Sequence, residues 1–286
     1  LIAPEVFYSD EEVPRFAIIA SDLGLDTFGL SGGVAVDDFN GDDLLDIVVS
    51  DWSTSGQIRY FRNDGDGSFS DLTERAGLKG LYGGLNLVHV DFDNDGDVDV
   101  LVLRGAWLGS MGRHPNSLLR NDGRGNFRDV TFECGLGELH FPTQTAAWSD
   151  YDQDGDLDLF VGNESFPCQL FQNDGQGNFV DGARQAGVQN LGVTKGVAWG
   201  DFDGDDDPDL YVSNLGQPNR LYRNEGNGVF VDVAELLHVE RPIRSFPTWF
   251  WDYDNDGHLD LYVASYQASA VQVAADYLGL PHSDES

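Results

Sequence analysis

The chain has 286 residues and a formal net charge of −34, from 50 acidic and 16 basic residues. Nucleic acids and anionic membranes both require a cationic surface, so this charge excludes them as partners. Hydrophobic residues make up 41% and aromatic residues 12% of the chain, enough for a packed core. No apolar run approaches the roughly 20 residues that a membrane-spanning helix needs.

The N-terminal segment, residues 5–25, predicts a strand, a turn and a second strand. It reads EVFYSDEEVPRFAIIASDLGL, and its closing DLGL is similar to the RAGL at 75–78. The segment therefore resembles the second half of a repeat that recurs further along the chain. At the other end, residues 266–286 predict a short helix, over 268–280, and a tail.

Five acidic segments follow the N-terminal segment, and each leads into a run of β-branched and apolar residues. They begin at Asp38, Asp91, Asp150, Asp201 and Asp252, so the period is about 50 residues. Gly-rich turns alternate with them, at 62–69, 120–127, 172–179 and 223–230. Asn-Gly and Asp-Gly between short apolar runs are typical of hairpins, because Gly and Asn tolerate positive φ.

Each period thus predicts four short antiparallel strands, A to D, with the acidic loop between A and B. Four strands per period of about 50 residues indicate an all-β β-propeller. We expect one domain over 1–286, with five repeats over 33–265. The hairpin of residues 1–25 would complete the fifth blade and close the ring. The alternative is a fragment of a seven-bladed propeller.

Carboxylates at every second position of a tight loop repel one another unless a cation lies between them. A hard divalent ion with oxygen ligands fits this pattern, and Ca²⁺ accepts flexible geometry. A Gly at position 6 makes the sharp turn in three loops, whereas Asp43 and Asp206 replace it in the Asp38 and Asp201 loops. Those two sites are predicted to be weaker.

The sequence predicts about five Ca²⁺ sites. Their candidate ligands are Asp38, Asn40, Asp42 and Asp46; Asp91, Asp93, Asp95, Asp97 and Asp99; Asp150, Asp152, Asp154, Asp156 and Asp158; Asp201, Asp203, Asp205, Asp207 and Asp209; and Asp252, Asp254, Asp256, His258 and Asp260.

The pattern D-[FY]-[DN]-x-D-G-x-x-D before an apolar strand resembles the FG-GAP/VCBS repeat, which also builds the integrin α propeller. Together with NDGxGxF and DLTERAGL (71–78), it is most similar to the cartilage acidic protein group, whose members often carry an ASPIC/UnbV domain. The resemblance covers about residues 30 to 265. It implies a secreted, calcium-binding propeller that acts in protein binding or cell adhesion. A periplasmic location is the alternative.

The antiparallel order places the acidic A–B loops and the C–D turns on one face and the B–C and D–A loops on the other. Variable loops on a rigid scaffold usually carry binding, so we expect a protein or glycan partner on the second face. The candidate contact residues there are Trp52, Trp107, Arg113, His140, Phe141 and Arg244.

Three functions remain open at the level of sequence. The first is a non-catalytic interaction module, the second a lectin with one sugar pocket, and the third a lyase-like polysaccharide-active enzyme on the same scaffold. The chain has no nucleophile elbow, HExxH or phosphate-binding Gly loop, so the first is preferred. Cys134 and Cys168 lie on the same predicted face, and a disulfide between them is expected.

Overall fold

Successive strands pair with their neighbours in sequence to form a series of up-and-down antiparallel sheets. The computed structural model describes residues 17–226 and 228–265. Within these ranges there are four four-stranded sheets and one two-stranded sheet, here called blades 1 to 5 in chain order.

The strands of blades 1 and 2 are β1 Ser31–Asp37, β2 Asp46–Asp51, β3 Arg59–Asn63, β4 Phe69–Asp71, β5 Asn86–Val90, β6 Asp99–Leu103, β7 Ser117–Asn121 and β8 Phe127–Asp129. Those of blades 3 and 4 are β9 Thr143–Ser149, β10 Asp158–Asn163, β11 Gln169–Asn173, β12 Phe179–Asp181, β13 Thr194–Gly200, β14 Asp209–Asn214, β15 Arg220–Asn224 and β16 Phe230–Asp232. Blade 5 consists of β17 Ser245–Trp251 and β18 Asp260–Ser265.

Within residues 17–226 and 228–265, helical structure consists of single turns in the connections. One α-helical turn, α1, spans Ala183–Ala186 between blades 3 and 4, and a 3-10 turn spans Gly109–Gly112 in the long insert after β6. The predicted all-β propeller with four-stranded antiparallel blades is therefore confirmed. No helix in the described ranges is long and apolar enough to cross a membrane.

The hydrophobic core lies between blades, because a blade buries its faces only against its neighbours. The four core clusters join blades 1 and 2, 2 and 3, 3 and 4, and 4 and 5 in turn. Where two blades meet, a glycine of strand A can face a large side chain of the next blade. Gly200 is an example, since a Cβ there would lie 2.8 Å from the Phe250 ring.

The same backbone hydrogen bond recurs between a D–A connection and the following blade. The carbonyl oxygens of Ala76 and Cys134 accept from the N–H groups of Phe127 and Phe179, at 2.8 and 2.7 Å. Leu23 makes the same contact with the N–H of Phe69, at 3.0 Å. The predicted similarity of DLGL to RAGL is thus confirmed, and residues 22–25 occupy the place of a D–A connection before blade 1.

Closure of the ring by the N-terminal hairpin stays a prediction. Phe7, Tyr8 and Phe16 lie outside the described residues, as does the predicted helix over 268–280. Ile18 is described; it is 97% exposed and lies just before a turn, not in a strand.

Candidate metal centres and the opposite face

The acidic loop of blade 2 is a tight turn built by its own carboxylates. Asp91 accepts hydrogen bonds from the N–H groups of Asp95 and Gly96, at 3.1 and 2.9 Å. Asn94 and Gly96 adopt left-handed backbone, with φ of 57° and 91°. The other loops repeat this geometry, and Asp43 and Asp206 enter the left-handed region at the Gly position as expected.

Three carboxylates converge in each of four loops. In blade 2 these are Asp91, Asp93 and Asp99, whose ligand oxygens all lie within 4.8 Å of one another. They occupy positions 1, 3 and 9 of the loop. The other three groups are Asp150, Asp152 and Asp158; Asp201, Asp203 and Asp209; and Asp252, Asp254 and Asp260.

In blades 2 to 4 the position-9 carboxylate of each group is buried. Asp99 is fully buried and accepts hydrogen bonds from the N–H groups of Asn121 and Phe92, at 2.8 and 3.3 Å. Burial raises the pKa of Asp99 to about 8, and it raises the pKa of Asp158 to about 7 and that of Asp209 to about 6. A raised carboxyl pKa means that the charged form is disfavoured without a compensating cation.

The position-3 carboxylates contain buried oxygens without a partner. Oδ1 of Asp93 and Oδ1 of Asp152 are inaccessible to solvent, and neither accepts a hydrogen bond from any described residue. A buried unsatisfied acceptor costs free energy, so such atoms require an explanation. A cation at the point where the three carboxylates meet would satisfy them. Because all donors are oxygens and the loop is flexible, the residues fit Ca²⁺.

The remaining predicted ligands do not belong to the converging groups. The position-5 carboxylates, such as Asp95, accept from the position-7 N–H, as Asp256 does from His258 at 2.9 Å. Two position-7 side chains bond the preceding blade: Oδ1 of Asp156 accepts from Nδ2 of Asn94 at 3.2 Å, and Oδ1 of Asp207 accepts from Nε2 of Gln153 at 2.7 Å. The four converging groups therefore do not contain every predicted ligand, and the full ligand set stays a prediction. The predicted ligands outside the four groups are Asp38, Asn40, Asp42, Asp46, Asp95, Asp97, Asp154, Asp156, Asp205, Asp207, Asp256 and His258.

The Asp38 loop of blade 1 is different, because hydrogen bonds replace the carboxylate cluster. Asn40 stands at position 3 and its Nδ2 donates to Oδ2 of Asp46 at 2.8 Å. The hydroxyl of Tyr60 donates to the same oxygen at 2.6 Å. The expected weakness of this loop is consistent with that geometry. The Asp201 loop, also expected to be weaker, forms the same group as its neighbours.

In blades 2 to 4 the acidic loop is tied to the preceding blade through an Asn at the end of strand C. The N–H of Asn121 bonds Asp99, while its Nδ2 donates to the carbonyl of Phe39 in blade 1 at 2.8 Å. Asn173 and Asn224 bond the carbonyls of Phe92 and Tyr151 in the same way, at 3.1 and 2.8 Å. Order in a loop therefore supports the contact between two blades.

The opposite face brings several predicted contact residues together. Trp107 donates its N–H to Oε2 of Glu164 at 2.7 Å, and its ring stacks on Phe246, with centroids 6.1 Å apart. Arg113 lies over the Phe166 ring at 4.6 Å and the Phe141 ring at 5.8 Å.

The other predicted residues of this face flank those contacts or lie apart. His140 precedes Phe141, and its Nδ1 is buried without a hydrogen-bond partner among the described residues. Arg244 lies two residues before Phe246. Trp52 is separate, since it lines a small cavity of about 40 Å³ with Tyr82, Arg104 and His114.

Sequence reasoning missed the buried charges beneath Trp107. The side chain of Lys195 is fully buried in strand β13, where it forms an ion pair with Glu164, and its Nζ lies 3.3 Å from the centre of the Trp107 ring. A lysine inside an otherwise apolar strand was the available signal. Its partner, Glu164, lies in a different blade and could not be paired with it from sequence.

The predicted disulfide is absent. Cys134 and Cys168 are both free thiols, and both are buried. Cys134 packs in the cluster between blades 2 and 3, whereas Cys168 packs in the cluster between blades 3 and 4. The two cysteines therefore lie in different clusters although both were placed on the same face. Burial raises the pKa of each thiol.

Comparison with known proteins reveals relatives over most of the chain. It is 27% identical over 284 residues to cartilage acidic protein 1 of Homo sapiens and likewise to that of Mus musculus. The alignment with the human protein covers 91% of this chain but only 42% of the relative. The chain thus spans about two fifths of the length of that relative.

Solved structures with a similar arrangement are remote in sequence. An Agrocybe aegerita lectin that recognises non-reducing terminal N-acetylglucosamine is 18% identical, with a TM-score of 0.45, covering 81% of this chain and 61% of the lectin. The Vibrio cholerae biofilm matrix protein Bap1 is 15% identical, with a TM-score of 0.47, covering 84% of this chain and 36% of that protein.

The family model for the FG-GAP-like repeat matches residues 38–102, 150–212 and 207–263. These segments contain all five acidic loops, and together they make up more than half of the chain. The chain therefore belongs to the FG-GAP-like repeat family.

Proposed function

We propose that this protein is a calcium-stabilised, non-catalytic propeller that binds a protein or glycan partner through the face opposite its calcium loops. The observation that carries the calcium part is the pair of buried, unpartnered oxygens of Asp93 and Asp152, each within a converging group of three carboxylates. Calcium would supply charge neutralisation and would order the loops. The carboxylates at positions 1, 3 and 9 would hold it.

Four calcium ions are proposed, one for each converging group. The blade 1 loop is left out, because Asn40 and Tyr60 already bond the carboxylate of Asp46. The repetition of one ligand set in four blades supports metal binding over an acid–base pair, which would need one blade to differ from the others.

Partner binding is assigned to the opposite face because the loops there differ from blade to blade. The long insert after β6 brings Trp107 and Arg113 to this face, and neither is matched in another blade. An extracellular location is part of the proposal, since calcium sites of this type are filled where free calcium is high. The matched curated relatives are animal proteins, which favours that location over a periplasm.

The calcium proposal is tested by native mass spectrometry and by thermal unfolding. We expect four bound Ca²⁺ and a higher melting temperature with calcium than with a chelator, because ligands that bind only the folded state stabilise it. Each site at calcium a hundredfold above its Kd adds about 2.7 kcal/mol. Magnesium serves as the control, since it demands a stricter octahedral geometry. Coincident melting curves together with an absence of bound calcium would contradict the proposal.

A further inference from the structure

Trp107 combines a strained backbone conformation with a partly exposed side chain. Its backbone adopts φ of 68°, a left-handed conformation that bulky residues seldom take, and its N–H is held by the Glu164 carboxylate. Even so, about half of the side chain, 51%, remains exposed. Strain of this kind is found where a residue must be presented in one orientation.

The indole rests on a buried charge. Lys195 is fully buried, and its Nζ lies 3.3 Å from the ring centre while it pairs with Glu164 and donates to Gln144 at 3.1 Å. Burying an ion pair is costly, and packing of this strand does not require one. The ammonium and the Phe246 ring both contact the indole, and about half of the Trp107 side chain stays exposed to solvent.

Trp107 packs against the first strands of blades 4 and 5. Gln144, Lys195 and Phe246 each lie six residues before the first Asp of their acidic loops, so they stand at one level on the first strands of blades 3, 4 and 5. Trp107 contacts Lys195 and Phe246 across this level. The indole thus contacts blades 4 and 5, and the backbone N–H of Trp107 bonds Glu164 of blade 3, on the face opposite the acidic loops.

Two arginines of the Trp107 face have no acidic partner among the described residues. Arg113 is held by stacking on Phe166 and Phe141, and neither Arg113 nor Arg244 has a carboxylate within 4.0 Å among the described residues. Both are exposed. In a chain of net charge −34, two exposed guanidinium groups left without carboxylates form a local site for anions.

We propose that Trp107, Arg113 and Arg244 form a subsite for an acidic glycan, in which a sugar ring stacks on the indole and a carboxylate or sulfate bonds the arginines. This subsite rests on the function proposed above and specifies its ligand. A cationic ligand is disfavoured, because Lys195 already draws on the electrostatic field of the indole from beneath. The flat apolar face of a neutral ring and an adjacent anion match the two parts of the site.

The test uses the calcium-loaded full chain and three oligosaccharide probes. These are hexameric oligogalacturonate, the same oligosaccharide with its carboxylates methyl-esterified, and a sulfated heparin hexasaccharide. Binding is measured by isothermal titration calorimetry. We expect one or both charged probes to bind at least roughly tenfold more tightly than the neutral ester, a difference of about 1.4 kcal/mol. The two charged probes distinguish carboxylate from sulfate recognition.

Variants assign the binding to this subsite. Trp107→Ala and the double variant Arg113→Gln with Arg244→Gln should each weaken binding by roughly tenfold or more, as expected for interface anchors. Trp107→Phe, which keeps a flat ring, should retain most of the affinity if Trp107→Ala perturbs the fold. Trp52→Ala is the matched control on the same face and should bind like the parent chain. All variants should keep their calcium-dependent melting.

The outcomes separate the subsite from the proposed function. Equal binding of the charged and esterified probes, or unchanged binding by Trp107→Ala and by the double arginine variant, would overturn the acidic-glycan subsite. Failure of every probe would do the same. If a neutral glycan or a protein then proved to bind this face, the general interaction function would stand without the acidic-glycan subsite. Loss of calcium-dependent melting in the parent chain would count against the proposed function itself.

Discussion

Two carboxylates of one loop can differ completely in role although they lie four residues apart. In blade 2, Asp93 belongs to the converging group and has a buried oxygen without a partner. Asp97 lies outside that group, beside Gly123 of the adjacent turn, where its carboxylate would meet an added Cβ at 2.3 Å. The same division recurs in blade 3, between Asp152 and Asp156.

This division predicts unequal effects of two substitutions that change the charge equally. Asp93→Asn should abolish one calcium site or weaken it by roughly tenfold or more, since even outer partners of metal sites have effects of that size. Asp97→Asn, which removes the same charge from the same loop, should leave the number of bound ions unchanged. Calcium titration with native mass spectrometry measures both. Equal loss in the two variants would show that net loop charge, not convergence, decides binding.

At the scale of elements, the unit is an acidic loop together with the third strand of its blade. In blades 2 to 4 the second residue of that strand is Leu118, Leu170 or Leu221, which leaves the position-9 carboxylate free to face the loop. In blade 1 the same position is Tyr60, whose hydroxyl bonds Asp46. Burial raises the pKa of Asp46, and the Tyr60 and Asn63 donors oppose that rise.

The difference predicts that a calcium site can be created in blade 1. Asn40→Asp together with Tyr60→Leu would reproduce the ligand set and the strand of the other blades. We expect one more bound Ca²⁺ than in the parent chain, counted by native mass spectrometry. Tyr60→Leu alone is the control: it should add no ion and should destabilise the fold by about 1.5–3 kcal/mol, the value of a hydrogen bond to a charged group. An unchanged ion count in the double variant would refute this explanation of the blade 1 loop.

At the scale of the whole molecule, the first and last blades within the described residues expose large apolar side chains. Blade 5 exposes Trp249 and Trp251, which stack on Tyr262 beside them, and blade 1 exposes Val34 and Val36. At interior contacts a small residue such as Gly200 faces a large one such as Phe250. The first strand of blade 5 carries Trp249 and Trp251 at the positions where that of blade 4 carries Ala198 and Gly200.

The register of the repeats places the closing hairpin. In the D–A connection after each of blades 1 to 4, a residue with positive φ is here called the connector residue. Strand C begins 18 positions before it: at Arg59 for Gly77, Ser117 for Gly135, Gln169 for Gly187 and Arg220 for His238. Gly24 makes the connector contact before blade 1, with φ of 79° and its would-be Cβ 3.0 Å from the carbonyl of Phe69. Counted back from Gly24, the same interval predicts that strand C of the N-terminal hairpin begins at Val6. Phe16 would then correspond to Phe69 of blade 1.

Ring closure is therefore tested by deletion. Removing residues 1–18 should lower the melting temperature, by about 2–4 °C for each kcal/mol of stability lost, because blade 5 would lose its hairpin and expose an edge strand. Removing residues 1–4, which precede the predicted hairpin, should have no such effect. If the longer deletion melts like the parent chain, the hairpin does not close the ring and the interpretation as part of a larger propeller is favoured.

The sequence alone determined the repeat, the order of strands in each blade and the face on which the acidic loops lie. These features depend on contacts within about 20 residues, where alternation, Gly positions and Asp spacing act directly. Tertiary structure decided the rest. The carboxylates that converge are those at positions 1, 3 and 9 of the loop. In blade 1 the Tyr60 hydroxyl bonds Asp46 instead. Cys134 and Cys168 pack in separate core clusters. The support of Trp107 by Lys195 joins residues of two blades, and such long-range pairing leaves no local periodicity in a single sequence.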